Sequence, residues 1–202
     1  MHGLINLTLQ CFLKDTYGNG VWSEIAERAR LEIPEFEAML TYDPQILKDV
    51  LTAAEATLVK PRDATLEDLG TYLVCHPNNE SLRRLLRFGG VDFVDFMHSL
   101  DDLPDRVRLA VEDLELPELE LREMTQENYC LEVRGTFRGF GHVVVGLLRA
   151  MADDYGALVL LDHRGQHGDT ETIDIALVET EFAEGREFQL GADPTLRRSA
   201  VQ

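Results

Sequence analysis

A chain of 202 residues with 45% hydrophobic composition is long enough to enclose a sizeable core in one domain. Its net charge of -18 and isoelectric point of about 4.6 give a surface that repels phosphate backbones and anionic lipid, which argues against nucleic-acid and membrane partners. Three widely spaced cysteines, Cys11, Cys75 and Cys130, form no Cys-x-x-Cys pair, so neither a disulfide framework nor a zinc site is implied. Unpaired thiols suit a reducing cytoplasm. No basic region leads into an apolar run at the N-terminus, so no signal peptide is expected, and no apolar run approaches the roughly 20 residues of a membrane span.

Taken in chain order, Ile5, Leu9, Phe12 and Leu13 fall at helical spacing, and Leu4, Leu7 and Cys11 widen that face. Tyr17 to Gly20 stops this helix, and Val21 to Leu31 predicts a second with Trp22, Ile25 and Ala29 on one side. Asp43-Pro44 opens a third, running to about Val59 with the proline in its first turn. Leu66, Leu69 and Leu73 mark a helix that ends before Pro77; Leu82, Leu85 and Leu86 mark the next, stopped at Gly89-Gly90. Phe93, Phe96, Met97, Leu100 and Pro104 then fall at i, i+3, i+4, i+7 and i+11, a single buried stripe, so the chain reads as helical to about Asp113.

The period changes at Pro117. Leu119 and Leu121 alternate with charged residues, and after a turn at Gln126 to Asn128 the run Tyr129, Leu131, Val133, Gly135, Phe137 alternates again, which predicts a hairpin. Val144, Leu147, Leu148 and Met151 form the core face of a helix ending near Tyr155-Gly156. Ala157 to Leu161 reads as a strand, Gly165 to Asp169 as a turn, and Ile173, Ile175 and Leu177 alternate on the last strand. The expected class is α+β: a helical lobe over residues 1–113, then a ββαββ lobe over 114–185 with a four-stranded, mostly antiparallel sheet and a helix across it. Residues 1–185 make one domain, and the tail 186–202 has no periodicity and reads as loose.

These elements and several local signatures resemble the haem nitric oxide/oxygen-binding (H-NOX) family. The resemblance runs from Met1 to about Val178. Met1-His2-Gly3-Leu4-Ile5-Asn6 matches the family's opening, Tyr17-Gly18 followed by Val21-Trp22 its second helix, and Leu85-Leu86-Arg87-Phe88-Gly89 the approach to its haem-bearing helix. That helix has the form Phe-Leu-x-x-Leu-Asp-x-Leu-His, here Phe96 to Pro104. Pro117, Gly139 and Val145-Gly146-Leu147 match later positions. The resemblance implies a sensor or signalling domain in which haem b is bound through a proximal histidine, propionates are held by a Tyr-x-Ser-x-Arg motif, a diatomic gas binds the open face, and a signal passes to a histidine kinase or cyclase.

This chain departs from the pattern at the cofactor. Aligned on Leu100-Asp101-x-Leu103 and Arg106-Val107-Arg108, the proximal histidine falls on Pro104, which has no donor atom. In a helix interior a proline costs about 3 kcal/mol, so the helix is expected to kink or restart here, with Asp101 or Asp102 as its cap. The Tyr, Ser and Arg positions become Val133, Gly135 and Phe137, an apolar set expected on one strand face. By resemblance the pocket positions are Ile5, Pro104, Pro117, Val133, Gly135 and Phe137, with His142 as the candidate replacement iron ligand from the distal side. His98 lies about 240° round the helix from Pro104 and reads as a surface residue. For His142 the alternative is a helix-start histidine bonded to backbone.

Other residues carry weaker signals. His2 is expected at the surface or against the last helix. His163 and His167, with Asp162 and Asp169, flank the turn at Gly165, where a solvated hairpin tip competes with a divalent-metal site. Arg134 and Arg138 are expected in solvent. Arg83, Arg84 and Arg87 share one helix face, either as a docking patch or as partners of Glu80 and water. No nucleophile elbow, phosphate loop or spaced acid pair points to an enzyme. Two readings follow: a haem-based gas sensor with altered ligation, and a haem-free regulatory interaction module of the same fold whose pocket is empty, self-filled or occupied by another apolar ligand.

Overall fold

Helix-forming stripes and their punctuation place eight helices ahead of and between four strands among the residues that the computed structural model describes, namely 1–180 except Glu112 and Thr136, together with Phe182 and Gly185. The tail from Arg186 lies outside the described residues. Helix α1 (Gly3–Tyr17) starts at His2, whose Nδ1 accepts the Leu4 N–H at 3.2 Å while its backbone bridges Thr41. His2 is therefore a helix cap, and it is half-buried. Helix α2 (Asn19–Arg28) follows, and then α3 (Pro44–Leu58), where Pro44 occupies the first turn and Asp43 accepts the Gln45 N–H at 2.8 Å. Helix α4 (Arg62–Cys75) ends before Pro77, and α5 (Glu80–Arg87) before Gly89.

The stripe from Phe93 to Pro104 is buried on one side, but it belongs to two helices rather than one. Helix α6 (Phe93–His98) ends, Ser99 to Asp102 turn, and α7 (Leu103–Ala110) begins with Pro104 in its first turn. There the missing N–H is harmless, because first-turn amides have no intrahelical partner. The Arg106 guanidinium reaches back to the Ser99 carbonyl (2.8 Å) and Oγ (3.2 Å) and so closes the end of α6. Asp102 stands at the cap position of α7 without a side-chain capping bond, while Asp101 Oδ1 accepts the Leu121 N–H at 2.9 Å.

Strands β1 (Glu118–Glu123) and β2 (Asn128–Arg134) form the expected hairpin. Helix α8 (Phe140–Tyr155), β3 (Leu158–His167) and β4 (Thr170–Glu179) complete a sheet of order β1-β2-β4-β3, antiparallel throughout. Two boundaries differ from expectation. β2 stops at Arg134, so Gly135 and Phe137 do not share its face with Val133. β3 runs on to His167, past a register shift between His163 and Gly165, so the turn is confined to Gly168-Asp169.

Two apolar clusters result. Phe93, Phe96, Met97, Leu100 and Leu103 pack with Leu131, Val133, Ile173 and Ile175 of the sheet and with Val144, Leu148 and Met151 of α8. Leu9, Phe12, Leu13, Trp22, Leu51 and Leu66 form the other cluster, which takes Val143 from α8. Helix α8 crosses α4 at backbone contact. A Cβ on Gly146 would stand 1.9 Å from the Glu67 carbonyl oxygen, and one on Gly70 would stand 2.0 Å from that of Val143. Gly146→Ala is expected to lower unfolding free energy by about 3 kcal/mol, since only a shift of both helices relieves the clash; urea unfolding unchanged to within about 0.5 kcal/mol would contradict the contact. Val59, which ends α3 at φ 50° and is 91% exposed, has the opposite expectation. Val59→Gly should stabilise by about 1 kcal/mol, because a β-branched residue is strained there and no packing is lost.

Candidate functional site

Val133 is 2% exposed and lies in the sheet-side cluster, among side chains of α6, α7 and α8. Pro104 is buried at the start of α7, between Leu103, which belongs to that cluster, and the half-buried Val107 packed against it. Ile5 and Phe137 pack instead at the edge of the helical cluster, with the Arg62 guanidinium 5.7 Å from the Phe137 ring centre. Gly135 lies against Pro117, where an added Cβ would come within 3.0 Å of the proline ring. These six positions thus belong partly to the sheet-side cluster, partly to the edge of the helical cluster and partly to the segments flanking the β1–β2 hairpin.

His142 sits in the first turn of α8, with 15% of its side chain exposed. Its Nδ1 lies 3.3 Å from Glu67 Oε1 and its Nε2 3.5 Å from Asp63 Oδ2, both on α4. Arg149 donates to the other Glu67 oxygen at 3.1 Å. The His142 ring stacks on His163, with centroids 4.0 Å apart and planes at 22°. This replaces the expected backbone bond with two carboxylate neighbours and an imidazole.

His163 in turn is not at a hairpin tip. Its Nδ1 accepts the Gly165 N–H at 3.2 Å, which leaves Nε2 to donate to Glu171 Oε2 at 2.9 Å. Glu171 is 4% exposed and caps α8 from β4: Oε1 accepts the Gly139 N–H at 2.8 Å and Oε2 that of Gly141 at 3.2 Å. A carboxylate suits that place, where helix amides point outward and the helix dipole is positive. Sequence reasoning missed Glu171. The available signal was its place in the alternation Glu171, Ile173, Ile175, Leu177, which puts a carboxylate on the apolar face.

The remaining candidates are simply placed. His98 is exposed, its ring edge-on to Tyr129 at 6.1 Å. His167 is exposed, and among the described residues no group of three or more His, Cys, Asp and Glu side chains is arranged to hold a metal ion. Arg83 makes two bonds to the buried Asp154 (2.5 and 3.1 Å), Arg84 bonds Glu80 at 2.6 Å, and the Arg87 guanidinium lies 3.9 Å from the Tyr155 ring centre. Arg83 and Arg87 thus fasten α5 to the end of α8. Arg134 pairs with Glu120 and Glu132, and Arg138 is exposed.

A helical N-terminal half followed by ββαββ with this strand order defines an α+β fold. It superposes on an unliganded Fe(II) H-NOX protein from K. algicida (TM-score 0.73, 20% identity, 94% of this chain and all of that one). It also superposes on the S. oneidensis H-NOX protein in its Fe(II)NO state (TM-score 0.70, 18% identity, 88% and 99%). Residues 2–163 match the Haem-NO-binding (HNOB) family, and the chain belongs to that family. Among curated relatives it is 23% identical over 154 residues to soluble guanylate cyclase gcy-31 of Caenorhabditis elegans, covering 76% of this chain and 22% of that protein. It is 20% identical over 158 residues to soluble guanylate cyclase 89Db of Drosophila melanogaster, covering 78% and 24%. The chain therefore spans under a quarter of the length of the cyclases it matches. Among the described residues no helix is long and apolar enough to cross a membrane.

Glu171→Ala would leave two helix amides and the His163 Nε2–H without their acceptor. A loss of about 3 kcal/mol of stability in urea unfolding is expected, with a smaller loss for Glu171→Gln, which keeps one carbonyl. A loss under about 1 kcal/mol for the alanine variant would show that the cap is not holding α8.

Proposed function

We propose that this chain is a haem-free regulatory interaction module built on the H-NOX fold. The observation that carries this reading is Pro104, a saturated ring buried at the helix start that the family resemblance aligns with the iron-ligating position. It offers no lone pair to a metal. Val133, at the first propionate-anchor position, is buried among apolar side chains, where a carboxylate brought in without a partner would cost several kcal/mol. Phe137, at the third, faces the other cluster. The residues at these positions do not fit haem b. The candidate replacement, His142, has both ring nitrogens directed at carboxylates of α4 and its face against His163.

In place of a cofactor, α6, α7, α8 and the sheet close on their own side chains: Phe96, Met97, Leu100, Leu148 and Met151 are each no more than 1% exposed. Such a core transmits rather than senses. Its signal is the arrangement of the two clusters about α8, read by a signalling protein of the kinase or cyclase type in the cytoplasm. The alternative, a gas sensor with rebuilt ligation, requires His142 to leave its carboxylates and enter a space that side chains occupy.

The test is an absorption spectrum of protein produced with a haem precursor and then titrated with haem. No Soret band at one equivalent is expected. A stoichiometric band would overturn the proposal, and its loss in His142→Ala would place the iron on the distal side.

A further inference from the structure

The segment joining α2 to α3 is long, carries no regular structure, and is nevertheless held at many points. The Trp22 indole N–H donates to the Pro34 carbonyl (3.0 Å), and the Phe36 N–H donates to Gln10 Oε1 (2.8 Å). Glu35 receives both Gln10 Nε2 and Lys14 Nζ at 2.6 Å. The Glu37 N–H donates to the Tyr42 hydroxyl (2.9 Å), and the Leu40 carbonyl accepts the Gly3 N–H (2.7 Å). Phe36 is buried edge-on between Trp22 and Tyr42.

A loop tied down this firmly could have turned its apolar side chains inward. Instead it presents Ile33 at 72%, Met39 at 85% and Leu40 at 48% exposure. On the same loop stand Glu32, next to Ile33, and Glu37, two residues before Met39; both are exposed, and among the described residues neither makes an ion pair. Apolar side chains fixed in water on a preordered backbone are the usual mark of a contact surface, because their ordering cost has already been met by the fold. Unpaired carboxylates beside them in the chain set the sign of what they meet. A chain of net charge -18 repels acidic partners, anionic membranes and its own copies.

We propose that this loop docks a basic amphipathic helix of a partner protein. Ile33, Met39 and Leu40 take the helix's apolar stripe, and Glu32 and Glu37 face the lysines or arginines beside it. This rests on the reading of the chain as a partner-binding module but not on the absence of haem. Haem uptake with the docking intact would fail the earlier proposal and leave this one standing.

The probe is a labelled synthetic peptide of about 18 leucines and lysines in an amphipathic helical order, with a scrambled peptide of equal charge as its control. Anisotropy titrations of the full chain would be run at about 50 and about 300 mM salt. The ordered peptide is expected to bind more tightly than the scrambled one, with affinity falling as salt rises. The triple variant Ile33→Ser, Met39→Ser, Leu40→Ser should weaken binding about tenfold. Glu32→Gln with Glu37→Gln should weaken it and flatten the salt dependence, while Glu55→Gln with Asp153→Asn, exposed carboxylates elsewhere, should change it by less than about twofold. Equal binding of both peptides, or triple-variant binding equal to wild type, would overturn the proposal. So would a dimer in sedimentation that the triple variant abolishes, since the occupant would then be a second copy.

Discussion

Backbone meets backbone where α8 crosses α4, and the rest of the molecule is arranged around that contact. Gly70 and Gly146 let the two helices approach closer than any side chain allows. Once α8 is held there, consecutive residues on it serve different cores: Val143 enters the helical cluster, and Val144, Leu148 and Met151 enter the cluster under the sheet. The start of the same helix is fixed by Glu171 from β4 and flanked by His142 against α4, and its end by Arg83 on Asp154. A single helix thus couples both halves of the molecule through packing in the middle and charged bonds at either end.

Much of this order is written in the residue pattern. Period-two alternation located β1, β2 and β4, and Pro44, Pro77 and Gly89 marked helix limits that the structure keeps within a few residues. Hydrophobic periodicity did not show the break at Ser99 to Asp102, because the buried stripe keeps its phase across the turn; Pro104 did, and the expected restart is found in α7, with Asp102 at its cap position. The extension of β3 was equally hidden: from Asp162 to His167 it carries no apolar residue, so no alternation announces a strand that is held by backbone pairing to β4. Just past the end of β2 at Arg134, Gly135 lies against Pro117, a contact between residues 18 apart that local spacing does not encode.

The candidate site was legible in a different sense. The identities of Pro104, Val133 and Phe137 already lacked the chemistry that haem requires, whatever their surroundings. Their geometry adds that Val133 and Phe137 pack in different clusters. His142 could be placed near the start of its helix from sequence, but its partners, Asp63, Glu67 and His163, come from elements distant in the chain. Membership of the Haem-NO-binding family accounts for the fold. The side chains at the cofactor positions account for the proposal that this copy of the fold works through its surfaces.

Met97 and Met151, both 0% exposed within the sheet-side cluster, report most directly on whether that core is closed. Carbon-13 methyl spectra of methionine-labelled protein, recorded as haem is added to one equivalent, would show it. A core filled by its own side chains predicts both resonances unmoved. Displacement of both by the porphyrin ring current or by iron would mean that haem enters between α6, α8 and the sheet, and would contradict the haem-free reading at its foundation.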